Sequence, residues 1–179
     1  MSITSLEIPP KAYSGLVNHL LPSKPKSEEA AFVFCSPVQS GRDVRFTFVE
    51  SYVVPPSDFR YRSLFGLELS DCCRARVIKR AHDLNTSLLE LHSHPLAELV
   101  RFSPSDRSGF EEFVPHVWWR LKQRPYAAIV MGRTGFDSLS WLSDPMRPDG
   151  VLEVQIGEHR LMPTGLTYKH WEDTDDFKT

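Results

Sequence analysis

The chain has 179 residues, 41% hydrophobic and 25% charged, which suits one domain with a substantial core. A formal net charge of −2 with scattered Lys and Arg argues against a nucleic-acid partner, and the densest basic group, "RARVIKR" at 74–80, reads as the wet face of a helix. No apolar run approaches the ~20 residues of a membrane span. The N-terminus lacks a basic start followed by an apolar run, and Cys35, Cys72 and Cys73 form neither a disulfide pattern nor a zinc clip. The expectation is a cytoplasmic protein with reduced thiols.

In chain order, "LEIP" predicts a short first strand, and Pro9 and Pro10 open a helix whose apolar stripe is Ala12, Leu16, Val17, Leu20 and Leu21. "PSKPKS" at 22–27 ends it. "AAFVFCS" at 30–36 reads as a buried strand. Residues 43–54 alternate, with Val44, Phe46 and Phe48 on one face, and the turn-rich "SPVQSGR" between them predicts a hairpin. Residues 55–63 read as an exposed loop, in which Phe59 and Tyr61 either grip a protein substrate or simply face solvent. "LFGLEL" at 64–69 is a short strand, and Ser70 and Asp71 cap a helix to about His82. "TSLLELHS" at 86–93 suits a central strand. The spacing of Phe110, Phe113, Val114, Val117, Trp118 and Leu121 predicts a helix over 104–124, kinked or divided at Pro115, with Trp118 in the core and Trp119 half in it. Residues 126–132 and 136–143 are two strands around a turn, and 152–157 add a late one. The tail "WEDTDDFKT" is acidic and frayed. The fold class is α/β (α+β) in one domain.

Chemistry concentrates in "LHSHPLAELVRFSPSD", Leu91 to Asp106. On a strand His92 and His94 point the same way, about 7 Å apart, and Pro95 places them at the strand's end. Two imidazoles there can hold one zinc ion. Ser103-Pro104-Ser105-Asp106 is fully explained as a helix start, with Ser103 as N-cap and Asp106 at the third position. The loop of 95–102 can also return Asp106 beside the histidines. Two imidazoles, one carboxylate and a water are the donor set of hydrolytic zinc. Such a site needs a base and an oxyanion donor: Ser103 lies one turn before Asp106, and "KSEEAAF" offers carboxylates. Glu90 shares the face of His92 as a ligand or as an acceptor behind it. His82, His116, His159 and His170 lack partners at ligand spacing.

"HSHP" followed by "SPSD", with an upstream Glu, resembles the signature of the JAMM (MPN-plus, or JAB) metalloproteases. The intervening spacer, Leu96 to Phe102, is seven residues and slightly longer than usual. Glu28 in "EEAAF" matches the family's upstream Glu, with Glu29 one position off as a rival, and Ala31 stands where the family often has Gly. The order of elements is also similar over about residues 5–143. The resemblance implies a JAB/MPN-like domain over 1–163, a curled mixed sheet flanked by helices, with 164–179 as an acidic C-terminal tail. It implies one Zn2+ on His92, His94 and Asp106, with Glu28 passing the proton and Ser103 steadying the oxyanion. The implied partners are a ubiquitin-like protein and its conjugates, and activating-like and conjugating-like enzymes of a bacterial antiphage operon; nucleic acid and membrane are not among them. Two alternatives stay open: a hydrolase acting on a sulfur-carrier protein or its amino-acid adduct, and a non-catalytic scaffold.

Overall fold

A computed structural model describes residues 3–175, with side chains through Trp171. The elements run β1 (Thr4–Ile8), α1 (Pro10–Leu20), β2 (Ala30–Ser40), β3 (Asp43–Val53), β4 (Phe59–Ser63), β5 (Gly66–Leu69), α2 (Asp71–Leu84), β6 (Ser87–Ser93), α3 (Pro104–Arg120), β7 (Tyr126–Gly132), β8 (Gly135–Trp141), β9 (Glu153–Ile156), β10 (His159–Leu161) and α4 (Leu166–Asp175). Eight strands form one mixed sheet in the order β10-β9-β1-β3-β2-β6-β7-β8, and β4 and β5 form a separate hairpin. The α/β class expected from the sequence is therefore observed, and no helix among the described residues is long and apolar enough to cross a membrane.

Both faces of the sheet are covered, which is why β2, β6 and β7 read as nearly unbroken apolar runs. On one face Phe32, Phe34, Leu88, Ala128 and Val130 pack with Val77 of α2 and Phe110 and Val114 of α3. On the other Val33, Leu89, Leu91 and Ile129 pack with Leu16 and Leu20 of α1. β6 runs parallel to β7, and α3 lies on the crossover between them. A crossover of this kind sets the end of the first strand facing the start of the helix, the crevice where α/β sheets place ligands.

Several expectations are corrected. Residues 55–63 are not a plain loop: a single 3-10 turn at Pro56–Asp58 leads into β4, which pairs with β5. Its base is fixed by Asp58, which accepts from the Tyr52 hydroxyl at 2.6 Å and from Arg76 at 2.5 Å. β2 continues past Ser36 through Pro37 to Ser40, so the turn shrinks to Gly41, at φ 62°, and Arg42. Proline fits there because β6 pairs with β2 only as far as Cys35, which leaves that edge without a strand partner. Pro115 neither divides nor ends α3. Phe110, Val114, Val117 and Trp118 are buried on both sides of it, and that packing outweighs the lost helical bond, ~3 kcal/mol. Trp118 is buried, but Trp119 is 73% exposed rather than half in the core.

The basic run at 74–80 is the wet face of α2 and is locally neutralised, Arg76 by Asp58, Lys79 by Asp83 and Arg80 by Glu50. All three cysteines are free thiols, with Cys35 and Cys73 buried.

The stretch read as a tail is tied into the fold up to Trp171, while residues 176–179 lie outside the described ones. Thr167, at the start of α4, donates its amide and its hydroxyl to the buried Asp137 carboxylate, at 2.9 and 2.7 Å. The same hydroxyl accepts from the Phe102 amide at 2.9 Å, and Thr164 donates to the Val100 carbonyl at 2.9 Å. The loop between β6 and α3 is thus braced from beneath by the C-terminal segment. Its Val100 side chain lies where a Cβ on Gly132 would stand: a Cβ built there falls 2.5 Å from Val100 Cγ2. Gly132→Ala is expected to cost on the order of 1–3 kcal/mol of stability through this overpacking, read as a lower urea midpoint with an unchanged slope.

Candidate metal centre

The centre is assembled from three chain segments. The first is the end of β6. Leu91 faces one layer of the core, while Glu90, His92 and His94 alternate onto the other. The His94 amide bonds the Met131 carbonyl of β7 at 2.8 Å, so the pair remains tied to the sheet beyond the strand's end. The two imidazole centroids lie 5.0 Å apart, and Phe102 closes over His92 at 5.6 Å.

The second segment is the start of α3. Ser103 is the N-cap, and the capping box expected from the sequence is complete. The Ser103 amide and hydroxyl each donate to Asp106 Oδ2 at 2.7 Å, and the Asp106 amide donates back to Ser103 Oγ at 3.2 Å. So held, the carboxylate faces both rings: Oδ1 is 3.4 Å from His92 Nε2, and Oδ2 is 3.3 Å from His94 Nε2. The cap read in "SPSD" is realised, and the same bonds leave its acid beside the two histidines.

The third segment precedes β2. Glu28 is 4% exposed, and its Oε1 lies 3.7 Å from His94 Nε2. Glu29 points elsewhere: it takes Arg62 at 2.5 Å and the Ser27 hydroxyl at 3.3 Å. Of the two rival carboxylates, Glu28 is the one beside the imidazoles. Its backbone is clamped by the hairpin, since the Glu28 amide donates to the Ser63 carbonyl at 2.7 Å, and the Glu29 amide donates to the Ser93 hydroxyl of β6 at 2.9 Å.

His92, His94 and Asp106 each offer one ligand atom, and these atoms lie within 4.8 Å of one another, as a metal group would need. His92 is 4% exposed, and among the described residues its Nε2 has no hydrogen-bond partner. A buried polar atom with no partner is costly, and a divalent cation at the centre of the three donors would satisfy it. The donor set, two imidazoles and a carboxylate with one side left open, fits a catalytic rather than a closed structural metal site. A cavity of about 100 Å³ adjoins His92 and Asp106, lined also by Leu67, Glu90 and Phe110. The larger groove between α2 and α3, about 660 Å³, contains none of the site residues.

Without a cation the charges are settled by protons. Burial disfavours the charged form of His92, but the Asp106 carboxylate, with Glu90 and Glu28 behind it, outweighs this and raises its pKa to about 9. Burial would raise Asp106, yet the His92 charge, the closeness of the His92 and His94 rings and the bonds from Ser103 hold its carboxyl well below the usual range. Burial raises Glu28 above an ordinary carboxyl, against the pull of His94 and His92.

Four features of the centre carry no sequence signal at ligand spacing. They are the Arg62 clamp on Glu29, the Ser63 carbonyl under Glu28, the Tyr126 hydroxyl on Glu90, and the Thr167 brace beneath Phe102. Only an alternating "FRYR" pattern could have pointed to the first two. His82, His116, His159 and His170 are exposed, and among the described residues none of them belongs to the converging group.

The raised His92 pKa sets a pH dependence. In the metal-free chain its protonated form stabilises the fold fully below about pH 6.5, and that contribution fades as pH rises towards 9. The depressed Asp106 stabilises above about pH 4 and loses its contribution as pH falls through its folded value. A metal ion must displace the His92 proton. Its affinity is therefore expected to rise about tenfold per pH unit up to the His92 pKa, with one proton released. Titration calorimetry in buffers of different ionisation enthalpy measures that proton directly.

No protein-family model matches this chain, and no curated protein matches it either.

Proposed function

We propose that the chain is a zinc-dependent isopeptidase of the JAMM type, with a JAB/MPN-like fold, that cleaves the amide bond at the C-terminus of a ubiquitin-like protein. One observation carries the reading. The resemblance marks five positions scattered over 79 residues of sequence (Glu28, His92, His94, Ser103 and Asp106), and they come together around one point, with Glu28 rather than Glu29 facing in.

His92, His94 and Asp106 hold the ion. Zinc bound there would supply a water of pKa about 7 and a Lewis acid for the scissile carbonyl. Glu28 accepts a proton from the attacking water at its carboxylate and delivers it to the leaving amine nitrogen. Its burial suits both halves of that task, because a carboxyl raised towards neutrality takes and returns a proton more readily than an ordinary one. Ser103 carries the oxyanion donor, and its hydroxyl has a single proton. In the resting site the hydroxyl donates that proton in a hydrogen bond to Asp106 Oδ2. Turning it towards a developing oxyanion leaves Asp106 still held by the Ser103 amide on the same oxygen. The ligand therefore keeps its place while the donor changes partner.

The test uses the purified chain, metal analysis and a ubiquitin-like fusion as substrate. Wild type is expected to carry about one zinc and to cleave the fusion, losing activity with a chelator. Glu28→Gln is expected to keep its zinc and lose cleavage about 10²–10⁴-fold. Full hydrolysis by that variant removes Glu28 as the base. Zinc-loaded wild type that spares the fusion but hydrolyses a carrier–amino-acid adduct moves the substrate class, and a chain without zinc or cleavage points to a binding scaffold. Ser103→Ala is expected to lower the rate about 10²-fold and to weaken the start of α3 by ~1 kcal/mol, the latter visible in denaturant melts of the metal-free chain.

A further inference from the structure

Glu90 sits on β6 two residues before His92, on the same face of the strand. Among the described donors Tyr126 of β7 reaches it: the Tyr126 hydroxyl donates to Glu90 Oε2 at 2.6 Å. Tyr126 is fully buried, and its ring is pinned edge-on between Phe113, at 6.3 Å, and Trp141, at 5.7 Å. That leaves Glu90 Oε1, which lies 3.9 Å from His92 Nδ1. Nε2, the other ring nitrogen, faces Asp106 at 3.4 Å and lacks a hydrogen-bond partner.

We infer, on the metal reading above, that Glu90, braced by Tyr126, is a positioning residue that sets the ring and tautomer of His92. A neutral imidazole carries one N–H. A carboxylate beside Nδ1 keeps the hydrogen there and leaves the Nε2 lone pair for the ion. At the present 3.9 Å, longer than a hydrogen bond, the carboxylate acts on the Nδ1 hydrogen through its charge.

Two further observations favour this over a purely structural role. On the side away from the histidines the layer that Glu90 faces is apolar, with Leu88 and Phe110 in it. A neutral amide would satisfy the Tyr126 hydroxyl at a lower desolvation cost than a carboxylate does. Arg74 lines the same cavity, but its guanidinium stacks over Phe113 at 5.5 Å. Glu90 is also not among the three residues whose ligand atoms converge, so it stands behind His92 and does not coordinate beside it.

The test measures zinc affinity by chelator competition, the visible spectrum of the cobalt-substituted chain, and the melting of the metal-free chain. Glu90→Gln is expected to weaken zinc about 10–100-fold, to alter the cobalt bands, and to leave the metal-free melting point nearly unchanged. Tyr126→Phe, which keeps the ring packing, is expected to move affinity and spectrum the same way but less. Wild-type affinity and spectrum in Glu90→Gln overturn the inference. So does a loss of affinity matched by an equal loss of metal-free stability in both variants. A wild-type chain that takes up no zinc overturns the metal reading, and this inference with it.

Discussion

Two bonds to one oxygen organise this molecule. The amide and hydroxyl of Ser103 both end on Oδ2 of Asp106, and together they start α3 and aim its first carboxylate. An acid at that position is already favoured by the positive end of the helix, so the cap needs no metal to form. The direction in which it points comes from the topology. Parallel β6 and β7 require a crossover, the crossover is α3, and its start therefore lies over the end of β6, where His92 and His94 sit. Remove the capping geometry and the carboxylate is free to turn to solvent; remove the crossover and no imidazole is there to meet it.

What the sequence made legible follows from the range of each signal. The histidine pair, the cap and Glu28 are local patterns, and local patterns survive in one dimension. The capping box was visible as Ser103-x-x-Asp106 and the strand-end placement as His-x-His-Pro. The supports were not visible, because they are single contacts across long separations. Thr167 reaches Phe102 from 65 residues away and Arg62 reaches Glu29 from 33. No periodicity announces a threonine hydroxyl that accepts from one amide while donating to a buried aspartate. The failure at 55–63 has a different cause. Arg60 and Arg62 alternate with aromatic residues in a short strand, and the polarity of that strand made it look like loop, although its arginines are spoken for by Glu68, Asp71 and Glu29.

The hairpin β4–β5 shows how such supports serve the site. It is anchored at its base by Asp58, in its middle by Arg62 on Glu29, and near its tip by the Ser63 carbonyl on the Glu28 amide. The last two contacts fall on the very dipeptide whose first member faces His94. With the Glu29 carboxylate drawn to Arg62, Glu28 is the member of the pair that faces His94. Two adjacent glutamates that compete in the sequence cooperate in the fold, one as anchor and one as the group beside the imidazoles.

The same crowding bears on the metal reading proposed above. Glu28, Glu90 and Asp106 all act on His92, and each is at least partly shielded from water. Three carboxylates around one imidazole repel one another. In the absence of an ion the cheapest relief is a proton on His92, held so firmly that it persists to about pH 9. A proton satisfies the charge but leaves Nε2 without a hydrogen-bond partner at 3.4 Å from Asp106. A divalent cation relieves the same field, satisfies that nitrogen, and uses His94 and Asp106 at once. On the metal reading, the electrostatics and the geometry favour the same kind of occupant, and the proton is the competitor it would have to displace.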